Sequence, residues 1–262
     1  MNIGIFNART KRFSLELAAL AVGLLLCVSN ATAMVAAEST FDPGVGPDGW
    51  TAIICENPGC PLGAETGSIP FDTEKFGHNT SDPQPFEPGV GHLFMVDPGS
   101  DETGMYQAPA AFADALSGPD AVLEIDIFVD SGSGGTYDTA ATGGLVPLFY
   151  IESAGSAGGV VYLLPVAAIA LDTWHNFDIP IATSGGPGTW FAVGGATGLG
   201  DALSGGDGDR RLLIWGELTN DSADEDGTFL DNVRVTVVPV PAALPMMISA
   251  LAAFGLWRRK AA

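Results

Sequence analysis

Apolar residues along this chain come in short runs, each closed by Gly, Pro, Asp or Ser. Runs at residues 50–54, 92–96, 122–129, 145–151, 160–164, 174–181, 189–193, 212–217 and 229–238 predict β-strands. In AVLEIDIFV, Leu123, Ile125, Ile127 and Val129 alternate with Val122, Glu124, Asp126 and Phe128. One face is wholly apolar and the other mixed, as for a strand with one face on a core. In LDNVRVTVV, Leu230, Val233, Val235 and Val237 break strict alternation. A bulge or a metal-bound bend near Asp231 accounts for that slip. Residues 108–116 are the best helical stretch, and no helical period lasts three turns. Residues 55–90 carry Pro, Gly, Asn and Asp throughout and read as a long excursion between strands. About ten strands without βαβ alternation predict an all-β fold, an antiparallel β-sandwich or jelly roll.

Composition excludes a disordered chain: 47% of the 262 residues are hydrophobic, alongside 35 Gly and 18 Pro. The net charge is -21. Only Lys75, Arg210, Arg211 and Arg234 are basic between the termini, against every acid except Glu16. Such a surface repels nucleic acid and anionic lipid at long range and favours cations, calcium above all.

The termini differ from the body. Arg9, Lys11 and Arg12 precede an apolar stretch at 15–28, and Ala31-Thr32-Ala33 forms a small-x-small cleavage site. Residues 1–33 therefore read as a secretory signal peptide. A lipoprotein at Cys27 needs a small residue before it, where this chain has Leu26. Export places Cys55 and Cys60 of CENPGC in an oxidising compartment. The turn residues Asn57, Pro58 and Gly59 let the two sulfurs meet, and a disulfide there contributes about 2 kcal/mol. The alternative is a metal or redox pair, but His78, His92 and His175 show no zinc spacing.

The body, residues 34–238, resembles the laminin B domain, also called laminin IV type A. The ordered features are Gly49-Trp50, the segment Tyr106 to Pro109, Trp174, and Leu230-Asp231-Asn232-Val233. The match covers residues 40–236 in outline. The resemblance implies a jelly roll similar to carbohydrate-binding modules, without catalytic residues.

After the body, Pro239-Val240-Pro241 stops the last strand, because proline lacks a ladder donor. Residues 242–257 carry no charge and as a helix span about 24 Å, a short transmembrane segment. Arg258, Arg259 and Lys260 then hold the cytoplasmic side. Proline motif, apolar helix and basic end together resemble the PEP-CTERM sorting signal in its Val-Pro-Leu-Pro-Ala variant. Here Val238, Pro239, Val240, Pro241 and Ala242 depart from it only at Val240. That resemblance implies cleavage by an exosortase, a membrane enzyme of Gram-negative bacteria that make exopolysaccharide. A plain single-pass anchor is the alternative.

Three kinds of chemistry are open to the body. Many jelly rolls hold a structural calcium where first and last strands meet, and Asp42, Asp48 and Asp231 are placed in sequence to supply hard oxygen ligands. Equally, these are turn and bend residues. Asp201, Asp207 and Asp209, and the run 220–227, could also hold cations, but the run lacks the spacing and distal Glu of an EF-hand loop, and both read as solvated loops. Trp174, Trp190 and Tyr150 are candidates for stacking on sugars, while Trp50 and Trp215 lie in apolar runs and belong to the core. Glu124 and Asp126 share a strand face and could mimic a glycosidase pair, although alternation on a solvated face explains them as well. The chain has no Gly-x-Ser-x-Gly elbow, no His-Glu-x-x-His and no phosphate loop. The sequence thus predicts an exported, non-catalytic protein of the cell surface or extracellular matrix, adhesive or structural within exopolysaccharide. A glycan-specific binding module and a secreted polysaccharide hydrolase are the alternatives.

Overall fold

A computed structural model describes residues 32–42, 49–56, 65–69, 76–79, 91–96, 102–131, 136–137, 143–153, 158–182, 187–206, 208–216, 219–220 and 227–238. Met34–Val237 form one compact unit. The first strands are β1 (Met34–Ser39), β2 (Thr51–Glu56), β3 (Glu65–Ile69), β4 (Phe76–Asn79), β5 (His92–Val96) and β6 (Glu102–Gln107). Helix α1 (Ala110–Ala115) follows, then β7 (Val122–Val129), β8 (Thr136–Tyr137), β9 (Leu145–Ser153) and β10 (Gly159–Pro165). Next come β11 (Trp174–Pro180), β12 (Thr189–Val193), helix α2 (Leu199–Ala202), β13 (Arg210–Trp215), β14 (Thr219–Asn220) and β15 (Gly227–Val237).

Two antiparallel sheets form a β-sandwich of the jelly-roll kind. The six-stranded sheet runs β11-β7-β15-β5-β4, with β1 also paired to β15. The seven-stranded sheet runs β12-β10-β9-β13-β6-β2-β3, and β14 pairs with β8 apart from both. β15 is the central strand of its sheet. One edge lies on β7, while the other takes β5 along Gly227–Leu230 and β1 along Val233–Val237. Met34 thus sits opposite Val237, and the unit closes first strand against last.

The alternation of β7 decides which face packs. Leu123, Ile125, Ile127 and Val129 are wholly buried between the sheets, each contributing roughly 1.5–3 kcal/mol. Opposite them, Tyr106 of β6 is wholly buried, and its hydroxyl donates to the Thr228 carbonyl of β15 across the sandwich. Trp50 joins β1 and α1 to the core: its indole donates to Ser39 Oγ at 3.0 Å, and its ring meets Phe41 and Phe112 edge-on. Trp50 and Trp215 are both buried, 3% and 5% exposed. At one end Arg210 fastens α1 to the segment after α2. Its guanidinium donates to the carbonyls of Leu203 and Gly205 and pairs with Asp114 at 3.3 Å.

The slip expected near Asp231 is a bulge. The β15–β7 register steps from Asp231↔Asp126 to Arg234↔Glu124, and Asn232 takes φ 46°. The excursion expected over residues 55–90 is interrupted by two strands, β3 and β4. Their sequences, ETGSI and FGHN, carry no alternation, because pairing to β2 and β5 holds them rather than a one-sided apolar pattern. β1, β6 and α2 were likewise not anticipated from apolar runs.

Candidate functional site

The outer face of the six-stranded sheet gathers side chains from five strands into three rows. Register sets the first row: Trp174 of β11 lies opposite Phe128 of β7, which faces Phe229 of β15, which faces Phe94 of β5. The rings interlock edge to face, with centroids 5.7 Å apart for Trp174–Phe128 and 5.6 Å for Phe128–Phe229. His92 closes the group against Phe229 and Trp174 at 5.5 and 6.4 Å. Phe128 is wholly buried beneath its neighbours, whereas Trp174, Phe229 and Phe94 stay half-buried. Gly77 ends the row for a steric reason: a Cβ there would stand 2.7 Å from the Phe94 ring.

Two residues further along each strand the row turns polar. Asn176, Asp126 and Asp231 face one another. The Asn176 amide donates to Asp126 Oδ1 at 2.7 Å, and the Asn232 amide donates to Asp126 Oδ2 at 2.8 Å. Asn232 reaches that position only because the bulge turns it outward. Asp231 is 5% exposed, and its Oδ1 accepts the Asn232 backbone N–H at 2.7 Å. Asn176 and Asn232 are exposed, and each spends one of its two N–H donors on Asp126. Each retains a second donor and a carbonyl acceptor for a ligand.

The third row is an ion-pair strip. Arg234 donates through Nε to Glu124 Oε2 at 2.9 Å and reaches Glu38 at 3.6 Å, while Thr236 donates to Glu124 Oε1 at 3.2 Å. Glu124 and Asp126, one residue apart in alternation, are therefore each committed to cross-strand bonds.

The other sequence-predicted residues fall elsewhere. Tyr150 is 1% exposed on β9. Burial, and then the charge of Glu152 to which its hydroxyl bonds, hold this phenol well above its usual range. Arg211 pairs with Glu152 beside it. Trp190 is half-buried on β12, with its ring against Phe149 and Tyr162 at 5.4 and 5.0 Å. Asp42 is exposed and accepts a hydrogen bond from Thr40 at 2.9 Å. Asp48 lies outside the described residues, as do Cys60, residues 1–31, and residues 239–262, which hold the sorting motif beyond Val238. Among the described residues no three His, Cys, Asp or Glu side chains come together to hold a metal. Nor is any described helix long and apolar enough to cross a membrane.

Sequence reasoning found Trp174, Asp126 and Asp231 but not their company. Asn176 and Asn232 carried no signal beyond their place next to strand positions, and they meet Asp126 only through sheet pairing 50 and 106 residues apart in the chain.

Fold and site define an antiparallel β-sandwich with an open aromatic and amide face. No protein-family model matches the sequence, and no curated protein matches it. Among solved structures the chain is similar to the L4b domain of human laminin alpha-2, with 12% identity, 78% of this chain and 99% of that one covered, and a TM-score of 0.44. It is also similar to the CBM22-1 xylan-binding domain of Paenibacillus barcinonensis Xyn10C, at 11% identity, 81% and 99% coverage and a TM-score of 0.39. The carbohydrate esterase vb_24B_21 of the Shiga toxin-encoding bacteriophage phi24B is similar at 13% identity, 79% and 99% coverage and a TM-score of 0.36. At such identities and scores no ligand, activity or partner of those proteins transfers to this chain.

Proposed function

We propose that this chain is an exported, non-catalytic protein of the cell surface or extracellular matrix, adhesive or structural within exopolysaccharide. Its contact surface is the outer face of the six-stranded sheet, and its ligand is a neutral polysaccharide. One observation carries the reading: the half-buried Trp174 indole stands directly beside the Asn176–Asp126–Asn232 lattice. An indole offers an apolar face to sugar C–H groups. An amide with one free N–H and one free carbonyl holds two neighbouring hydroxyls. Among the described residues Asp126, Asp231, Glu124, Asp178 and Glu38 outnumber the single cation Arg234 on this face. An acidic polymer is repelled there, and a neutral one is not. Delivery rests on the signal-peptide and sorting-signal readings of the termini, with an exosortase as the processing partner.

Affinity electrophoresis of the exported protein through neutral and acidic polysaccharides tests the surface. Trp174→Ala and Asn176→Ala are each expected to abolish retardation by the neutral polymer while the melting temperature stays within a few degrees. Retardation by acidic polymers alone, or binding indifferent to both substitutions, refutes the assignment. Intact mass of the protein from cells tests delivery: a product lacking the residues after about Ala242 supports sorting, and one that keeps Arg258 to Ala262 leaves a plain anchor.

A further inference from the structure

The seven-stranded sheet ends in β12, Thr189–Val193, which pairs with β10 alone among the described residues. Its other edge presents backbone N–H and C=O groups with no described strand beside them. Natural edge strands usually carry a lysine, a proline or a bulge that stops a second chain from pairing. TWFAV has none of these, and its register with β10 runs from Gly159↔Val193 to Leu163↔Thr189 without a shift. Thr189, Phe191 and Ala192 are exposed, and Phe191 at 58% is the most exposed large hydrophobic side chain described.

Charge singles out the same strand. The net charge of -21 makes two copies repel wherever their acidic surfaces meet. Residues 179–200 contain no charged side chain, and between the signal peptide and Arg234 no longer uncharged stretch occurs. The next longest, residues 153–171, carries β10, the neighbour of β12. The sandwich therefore has one edge where a like-charged copy can approach without bringing carboxylates together.

We infer that two copies of this chain pair antiparallel through their β12 edges, joining the two seven-stranded sheets into one. Centred on Phe191, the two-fold register sets Phe191 against its counterpart, Trp190 against Ala192 and Thr189 against Val193. An aromatic pair at the centre is the cross-strand combination that stabilises such a ladder. Five paired residues on each side make a small interface, so the dimer forms in the micromolar range. Added salt screens the acidic surfaces and strengthens it. If the glycan reading also holds, each dimer presents two contact faces and bridges polymer strands with the gain of bivalency. The dimer itself does not depend on that reading.

Sedimentation velocity of the exported protein, over a concentration series at low and high salt, is the test. Wild type is expected to dimerise, more tightly at high salt. Phe191→Lys and Ala192→Lys are each expected to raise the dissociation constant at least about tenfold. Both side chains are solvent-facing, so the melting temperature of each variant stays near wild type. Val35→Lys, at a 45% exposed position on the β1 edge, is expected to leave the dimer intact. A wild type that stays monomeric throughout overturns the inference. So does a dimer that survives both β12 substitutions, or one that is lost with Val35→Lys alone.

Discussion

The bulge at Asn232 can be broken in two separable ways. Asn232 sits at φ 46°, where asparagine is tolerated, glycine is unstrained and other L-residues pay roughly 1 kcal/mol or more. Its side chain also donates to Asp126 Oδ2 at 2.8 Å. A hydrogen bond to a charged acceptor contributes about 1.5–3 kcal/mol when buried, and the exposure of Asn232 reduces that to about 1 kcal/mol. Asn232→Ala loses the bond and adds backbone strain, about 2 kcal/mol together. Asn232→Gly loses the bond and relieves strain, but its freer unfolded chain costs about 0.5 kcal/mol, for about 1.5 kcal/mol in all. Asn232→Val adds a β-branched side chain at positive φ and is expected to fall below both. For a unit of this size each kcal/mol lowers the melting temperature by roughly 2–4 °C. The expected order is therefore wild type, Gly, Ala, Val, with Ala about 6 °C below wild type. Differential scanning calorimetry at fixed pH and salt measures it. If Ala proves as stable as Gly, the positive φ is not what Asn232 is for. If neither loses stability, the bond to Asp126 contributes nothing and the lattice is not pre-organised for a ligand.

Two further outcomes follow from the core. Tyr106→Phe leaves the buried Thr228 carbonyl without its hydroxyl donor and is expected to cost about 1–2 kcal/mol in urea denaturation. Burial raises the Tyr106 phenol well above its ordinary range, and burial likewise raises Tyr150 and Tyr162. The unfolded chain then releases these protons at lower pH than the folded one. Stability is full below about pH 10 and declines as pH rises above it, and Tyr106→Phe is expected to flatten that decline. Arg210→Ala removes the cation beside Asp114, which keeps the Gly208 backbone N–H, and takes the donors from the carbonyls of Leu203 and Gly205, at a cost of about 2 kcal/mol. Arg210→Lys restores one point charge without the fork, and thermal denaturation is expected to show only partial recovery.

The long strands were legible because burial on one face writes a period of two into the sequence. β7 shows it fully, and β15 shows even its own defect, since the broken parity at Asp231 is the bulge. β3 and β4 were illegible for the opposite reason. Flanked by a partner strand yet carrying Gly67 and Gly77, they owe their conformation to a neighbour. The site divides along the same line. Trp174 was noticed as an aromatic and Asp126 as an alternating carboxylate, but the indole–amide surface exists only because register lays β11, β7 and β15 side by side.

By itself, then, the sequence determined an antiparallel all-β body with an acidic surface, because alternation, turn residues and charge are local properties of the chain. Tertiary structure decided which of the aromatic residues fill the interior and which remain at a surface: Tyr150 is buried beside Glu152, while Trp174 borders an open amide lattice. It also decided that β12 ends its sheet with an uncharged, unguarded edge. Both facts depend on which strands are neighbours, and pairing between residues far apart in the chain leaves no periodic trace in either strand alone.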